Sequence, residues 1–182
     1  MCRLLLGKNG KGYVVKIVDN FLPDALYKDI MTYAILDKNW TKVDHNRTCN
    51  KYEKSLPYSL INRVYTTYSE SVNNLSEFGL DPEFFSVGLV KCDPGYAYPI
   101  HADKESKVIS AVVYLSPLEG NSTKFSGMTN PEWKSNRLVA WKNEGQEHWY
   151  YNNKEQDRYT LNIYQTMEEV SYVVETSRDK NT

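Results

Sequence analysis

Long apolar runs are missing from the start of this chain. The longest near the N-terminus is Leu4-Leu5-Leu6, well short of a signal-peptide core or of the roughly 20 apolar residues that cross a bilayer. Cysteine is scarce: Cys2, Cys49 and Cys92 are an odd set and too few for a disulfide framework. Both absences lead to the expectation of a soluble, cytoplasmic protein in a reducing interior, with no membrane partner. An excess of positive charge is missing too. Twenty-two Lys and Arg against twenty-three Asp and Glu give a net charge of −1, which offers no footprint for nucleic acid. Internal repeats and low-complexity segments are absent, and the chain holds only three histidines, His45, His101 and His148.

What is present describes one folded domain. A length of 182 residues lies in the single-domain range and lets a chain bury roughly 70% of its unfolded surface. A hydrophobic fraction of 41% with 25% charged residues excludes disorder as the main state. Tyrosine outnumbers phenylalanine fifteen to five. Tyr joins an apolar ring to a hydroxyl that wants a partner, so the excess leans towards a sheet-rich fold with a wet groove; biased composition would give the same count without one.

The expected class is α+β, a core of antiparallel strands with supporting N-terminal helices, filling one domain over 1–182. Helices should occupy about 20–78 and the strand-rich core about 83–174. The first helix is read over Pro23 to Leu36: Pro suits a first helical turn, Asp24 favours the positive end of the dipole, and Leu26, Ile30 and Ala34 recur every four residues. A second helix begins near Ser59, with the stripe Leu60, Ile61, Val64, Tyr65, Tyr68, Val72 and Leu75. Between them Asp37 to Pro57 reads as a long polar loop with room for a short strand. Beyond Pro82, short runs rich in Val, Ile, Tyr and Trp cover 84–91, 108–115, 138–141, 147–151, 159–165 and 170–174. Strands so spaced, with no helix between them, suggest an antiparallel sandwich or open barrel. Met1 to Gly12 and Glu175 to Thr182 are expected to fray.

The chemistry concentrates in Tyr98-Pro99-Ile100-His101-Ala102-Asp103. On an extended chain, residues two apart point the same way, so His101 and Asp103 project together. His148, forty-five residues after Asp103, falls in another expected strand and could complete two imidazoles and a carboxylate on one side of a metal. That is the facial arrangement of non-haem Fe(II) oxygenases. Alone, His-x-Asp is a weak signal that any polar loop produces by chance. Ten residues beyond His148, Arg158 opens a strand whose alternation puts Arg158, Thr160, Asn162 and Tyr164 on one face and Tyr159, Leu161 and Ile163 on the other. The polar face suits the wall of a pocket, where a guanidinium grips a carboxylate by two points. Taken alone, it serves equally as a face turned to water.

His101-x-Asp103, His148 and Arg158, in this order, resemble the 2-oxoglutarate and Fe(II)-dependent dioxygenase superfamily. Within it, the segment is most similar to the prolyl 4-hydroxylase-like branch. Pro94-Gly95 upstream, the strand Ser110-Ala111-Val112-Val113-Tyr114-Leu115, the segment Asn136-Arg137-Leu138-Val139-Ala140-Trp141 and the run Arg158-Tyr159-Thr160 carry the likeness, which covers roughly 84–165. The resemblance implies a double-stranded β-helix (jelly roll) with Fe(II) held by His101, Asp103 and His148. It implies that 2-oxoglutarate is bound at its distal carboxylate by Arg158, with Thr160, Tyr114 and Tyr98 around it. It further implies consumption of O2, release of succinate and CO2, ascorbate as an accessory reductant, and hydroxylation of a C–H bond, a prolyl residue of a peptide or protein being the first candidate. A free amino acid, another side chain or a nucleotide as acceptor stays open, as does a jelly-roll binding module with an idle metal site. Oligomeric state is not legible.

The chain departs from the family's pattern in two places. Many relatives carry a tyrosine immediately before the Pro-Gly, where this chain has Asp93. An acid there would repel an anionic co-substrate, so Asp93 should point away, or the pocket should be rebuilt around Tyr96, Tyr98 or Tyr114. The family's Gly-rich turn after the Tyr-Leu strand reads Glu119-Gly120-Asn121-Ser122-Thr123-Lys124-Phe125. Elsewhere, His45 is read as a solvated loop residue, Cys92 as a small apolar strand residue and Asp157 as having no role. Trp141, Trp149, Tyr150 and Tyr151 are assigned mainly to the barrel wall. The stretches 37–57 and 117–135 are candidate substrate loops, the second a possible lid.

Overall fold

Alternation along the strands builds the molecule. The computed structural model describes residues 2–6, 14–46, 49–72, 84–117, 119 and 121–167, with backbone alone for 2–6, 44–46 and 72. Eleven strands and two helices follow one another as β1 (Cys2–Leu6), β2 (Val14–Asp19), α1 (Asp24–Leu36), β3 (Thr41–Asn46), β4 (Cys49–Ser55), α2 (Tyr58–Val72), β5 (Phe84–Cys92), β6 (Ala97–His101), β7 (Lys107–Ser116), β8 (Lys124–Phe125), β9 (Arg137–Lys142), β10 (His148–Tyr151) and β11 (Arg158–Thr166). Eight strands make one sheet in the order β1-β2-β9-β7-β11-β5-β4-β3, and three make a second in the order β6-β10-β8. Every pairing is antiparallel. The large sheet with two helices on one face and a small sheet on the other agrees with the jelly-roll expectation.

Residues of opposite parity on the central strands serve two layers. Ile109, Ala111, Val113 and Leu115 of β7, Leu138 and Ala140 of β9, and Leu161 and Ile163 of β11 point to the helices, where they meet Leu26, Ile30 and Ala34 of α1 and Leu60, Val64 and Tyr68 of α2. This is the main core. On the opposite face Val15, Ile17, Val112, Tyr114, Val139 and Trp141 pack with Phe125 of the small sheet, and Val90, Cys92 and Tyr96 form a third cluster. Burial of large side chains on the helix side, at roughly 25 cal/mol per Å² of apolar area, supplies the stabilisation that the polar inner face does not.

Both helices fall where their periodicity predicts. Pro23 precedes α1 without a side-chain cap, and Asp24 sits in its first turn. At its other end the Lys54 ammonium donates to the Tyr33 and Asp37 carbonyls at 2.9 Å each, filling acceptors that a helix terminus leaves open. Burial draws that ammonium below the ordinary lysine range, although Asp37 opposes the shift.

The N-terminal third holds more strand than the expected two helices joined by a long polar loop after a frayed start. Cys2–Leu6 and Val14–Asp19 are strands at one edge of the large sheet, and 41–55 is a β3–β4 hairpin at the other. Its sequence hid it because edge strands packed on one side need no apolar alternation; pairing of β4 with β5 supplies the order instead. The two-residue strand β8 was not among the expected runs, and β6 ends at His101, so Asp103 follows the expected extended strand instead of lying on it. Leu75 and the expected strand at 170–174 lie outside the described residues, as does the C-terminal segment read as fraying.

Two local devices bring the inner face into register. Asn136 adopts a positive φ of 58°, which Asn tolerates better than most residues. Its side chain accepts from the Leu22 N–H at 2.9 Å and donates to the Leu22 carbonyl at 2.8 Å, tying the entry of α1 to the start of β9. Gly95 turns β5 into β6 with φ of +81°, and a Cβ there would lie 3.1 Å from Cys49 Sγ. Its N–H donates to the Asn152 carbonyl at 2.6 Å.

Candidate active site

The turn at Gly95 returns the chain antiparallel to β10, and in that pairing His101 stands directly opposite His148. Directly opposed residues on neighbouring strands present side chains to the same face, and the two imidazole centroids lie 4.3 Å apart. Asp103 enters from the segment just after β6, its Oδ2 3.7 Å from His148 Nε2. One ligand atom from each of the three lies within 4.8 Å of the others. The three residues expected from sequence are therefore brought together.

Each imidazole is oriented by its other nitrogen. His101 Nδ1 is 2.9 Å from the Pro99 carbonyl and His148 Nδ1 is 3.2 Å from that of Gln146. A carbonyl can only accept, so Nδ1 carries a proton in both rings, and in the neutral tautomer this leaves Nε2 as the atom that can bind a metal. Asp103 is fixed as firmly: Ser110 Oγ donates to Oδ2 at 2.6 Å and Lys107 Nζ to Oδ1 at 3.1 Å. Burial pushes the Asp103 carboxyl up, but Lys107, His148 and Ser110 outweigh it and hold the group below the usual range. His148 is shifted down, first by burial and then by His101, against the pull of Asp103. Carboxylate and neutral imidazole are the forms a metal requires, so the donor set fits a divalent ion such as Fe(II).

The cluster opens on a cavity of about 240 Å³ that also reaches Arg158. Arg158 is 2% exposed. Its guanidinium carbon lies 4.2 Å from the ring centre of Tyr150, 5.3 Å from Trp133 and 6.0 Å from Tyr114, and Nε donates to the Asn121 carbonyl at 3.3 Å. Among the described residues no carboxylate lies within ion-pair distance of it. A buried charge without a counter-ion is costly, and that cost falls when an anion enters.

The other expected pocket residues divide. Tyr98 lies on the cavity wall, edge-on to His101 at 4.5 Å and stacked on Tyr150 at 5.4 Å. Tyr114 and Thr160 are buried beside the cavity and do not line it. The Tyr114 hydroxyl accepts from the Thr123 N–H at 2.9 Å, keeping its own proton free to donate, and its ring stacks on Trp133 at 4.4 Å. Thr160 donates to Asn162 Oδ1 at 3.0 Å. Asp93 points away: its Oδ2 accepts from the backbone N–H of Asn50 at 3.0 Å and from Asn50 Nδ2 at 2.7 Å. Asp157 accepts from the Tyr159 hydroxyl at 3.3 Å. Cys92 is buried, with its thiol pushed up by burial. His45 falls in strand β3 instead of a loop.

Several wall residues were not singled out from sequence for the positions they hold. Lys51 and Glu53 of the unforeseen hairpin reach the cavity and pair at 2.8 Å. Lys107 and Ser110 hold Asp103, and Ser110 could have been found from the inward parity of β7. Among the described residues of 117–135, Lys124–Phe125 form β8 in the small sheet and the rest are turns and coil, with Trp133 Nε1 donating to the Pro117 carbonyl at 2.8 Å.

No family model matches the sequence, and no curated protein matches it. Solved structures do match. A Pseudomonas putida prolyl-4-hydroxylase superposes with a TM-score of 0.63 at 14% identity, over 85% of this chain and 93% of that one. The viral collagen prolyl hydroxylase of Paramecium Bursaria Chlorella virus-1, in its 2OG complex, gives 0.61 at 16% identity over 85% and 96%. The non-heme alpha ketoglutarate dependent epimerase SnoN from nogalamycin biosynthesis gives 0.65 at 10% identity over 84% and 76%. The chain thus has the fold of the 2-oxoglutarate and Fe(II)-dependent dioxygenase superfamily in its prolyl 4-hydroxylase-like form. Among the described residues no helix is long and apolar enough to cross a membrane.

Proposed function

We propose that this chain is an Fe(II)- and 2-oxoglutarate-dependent dioxygenase that hydroxylates a C–H bond, a prolyl residue of a peptide or protein being the first acceptor to test. One observation carries the reading: a buried, anion-free guanidinium shares a single cavity with two imidazoles and a carboxylate whose free donor atoms converge. A dicarboxylate that bridges the metal position and the guanidinium would satisfy both ends.

In this reading His101, Asp103 and His148 hold the metal through Nε2, one carboxylate oxygen and Nε2. Bound Fe(II) would supply the redox chemistry by which O2 and 2-oxoglutarate become succinate, CO2 and a hydroxylated product. Lys107 donates to Asp103 Oδ1 and Ser110 to Oδ2, so the carboxylate is held in place from both oxygens, and Oδ2, 3.7 Å from His148 Nε2, would be the oxygen offered to the ion. Arg158 takes the distal carboxylate of the co-substrate as a forked donor, with Tyr114 buried behind it and Thr160 steadying the row through Asn162. Tyr98 and Tyr150 form an apolar flank that excludes water from the buried charges. The prolyl hydroxylases among the solved neighbours, one of them in complex with a hypoxia inducible factor oxygen degradation domain peptide fragment, favour a prolyl acceptor. Ascorbate would serve to restore the ferrous state.

The test is succinate release by purified protein given Fe(II), 2-oxoglutarate and a panel of prolyl peptides and free amino acids, with mass spectrometry for a gain of one oxygen. Succinate formation that needs both additions supports the reading. Tight metal binding without succinate on any panel member would favour a binding module with an idle metal site.

A further inference from the structure

Three lysine and arginine side chains line the cavity, Lys51, Lys107 and Arg158, and they differ in what answers their charge. Glu53 answers Lys51 at 2.8 Å. Arg158 is the cation assigned to the distal carboxylate of the co-substrate. For Lys107, the carboxylate at ion-pair distance among the described residues is that of Asp103, Nζ to Oδ1 at 3.1 Å. Asp103 is also a metal ligand in the reading above. Asp103 and the 2-oxo-acid end of the co-substrate together answer the two charges of a divalent ion, and the distal carboxylate answers Arg158. The Lys107 ammonium is then left without a counter-charge on the wall of a largely enclosed site, where an unbalanced cation is costly.

A β-bulge aims that ammonium into the cavity. Along β7, Ser110 reaches inward to Asp103 and Ile109 packs towards the helices. Strict alternation would send Lys107 to the helix side with Ile109. The pairing of β7 with β11 shifts at this point: Ile109 stands opposite Gln165, but Lys107 stands opposite Thr166. The extra residue, Val108, packs against the helix-side core, and Lys107 turns inward. Bulges beside sites re-aim side chains in this way. The Lys107 ammonium rests 3.7 Å from the ring centre of Tyr164, which lines the same cavity, and the side chain keeps 17% of its surface accessible. An ammonium has three donors; Asp103 and the ring face engage two, which leaves one for a ligand.

We infer that Lys107 binds a carboxylate of the acceptor, so that the molecule hydroxylated is an acid. The shared chemistry is a carboxylate close to the reacting C–H bond, carried either by a free amino acid or by an acidic residue next to a prolyl residue in a peptide. This inference rests on the reading of the cavity as a metal and 2-oxoglutarate site, and it narrows that reading's acceptor. The cavity of about 240 Å³ falls below the roughly 300–1,000 Å³ of pockets that enclose a whole drug-sized ligand. With the co-substrate inside, a small part of the acceptor fits, and that part has to bring both the C–H bond and its anchor. Because Lys107 touches a metal ligand, a carboxylate held by it brings the neighbouring C–H bonds towards the ion.

The experiment uses the full chain loaded with Zn(II) and 2-oxoglutarate, and calorimetry with two matched pairs of probes. One pair is proline and prolinamide. The other is an end-blocked peptide with Asp beside its prolyl residue and the same peptide with Asn. In at least one pair the carboxylate member should bind roughly ten- to a hundredfold more tightly than its neutral partner, as a hydrogen bond between charged groups implies. The pair that discriminates identifies the source of the carboxylate. K107Q, which keeps a donor for Asp103 without the charge, should lose the preference, K107R should restore it and K51M should retain it. No preference for the acid in either pair, in protein that takes up Zn(II) and 2-oxoglutarate, overturns the inference and leaves the site reading intact. A preference that survives in K107Q or disappears in K51M also overturns it. Failure of the parent to take up Zn(II) overturns both readings. If K107Q itself loses Zn(II), the parent's two pairs still decide the acceptor class, and K51M decides between the two lysines.

Discussion

Strand β11 has two faces with opposite purposes. Leu161 and Ile163 are fully buried against both helices, surrounded by aliphatic and aromatic neighbours that need shape and nothing else. Arg158, Asn162 and Tyr164 look the other way into the cavity, and Thr160 lies between them. The first face concentrates stabilising apolar burial. The second holds a guanidinium with no carboxylate partner among the described residues, a row of side-chain hydrogen bonds and a phenol driven far above its normal range, first by burial and then by Asp103. A strand shared between a core and a site separates stability from function by residue parity. Substitutions on the two faces should therefore fail in different assays.

The largest effect belongs to the inner layer. His101→Ala should abolish binding of one Fe(II) per chain and all turnover, while thermal unfolding of the apoprotein shifts little. Loss of fold in that variant would mean that the imidazole is structural. Next comes the outer face, where Leu161→Ala should cost about 2–5 kcal/mol of unfolding free energy. Denaturant titration measures it, and metal affinity of the folded fraction should match the parent. If Leu161→Ala loosened the metal site as much as the fold, the two faces would not be separable.

Arg158→Met sharpens the comparison further. It should raise the 2-oxoglutarate concentration needed for half-maximal succinate release by roughly ten- to a hundredfold, as expected for losing hydrogen bonds to a charged group. Metal uptake should be unchanged. Apoprotein stability should hold or rise, because a buried charge without a partner is removed. A kinetically silent Arg158→Met would defeat the pocket assignment. The smallest effect is expected at Asp93→Ala, which removes the acceptor for Asn50 and should cost about 1 kcal/mol of stability with no change in co-substrate requirement. A clear change there would place Asp93 in the pocket after all.

Much of this was legible before the fold. The i, i+2 projection of His101 and Asp103, the parity of Arg158 and Thr160 against Leu161, and the fourfold spacing of Leu26, Ile30 and Ala34 all follow from local geometry, and the structure places them accordingly. The hairpin of β3 and β4 was not legible, because Thr41–Asn46 and Cys49–Ser55 carry no apolar alternation and are ordered by pairing with β5. The same reason hid Lys51 and Glu53 as cavity residues. Tyr150, Trp133 and Trp141 were visible as aromatics, but their convergence on Arg158 and His148 depends on how two sheets face each other, which no single segment encodes. Asp93 shows the opposite case: its repulsion of an anionic co-substrate left turning away as one of two expected outcomes, and Asn50 is what receives its carboxylate.

The central claim is that His101, Asp103 and His148 bind one ferrous ion between them. Anaerobic equilibrium dialysis of Fe(II) against the parent protein and His148→Ala addresses it most directly. The account predicts one ion per chain for the parent and none for the variant, with 2-oxoglutarate tightening the parent's hold. Equal uptake by both proteins, or uptake by neither, would contradict it.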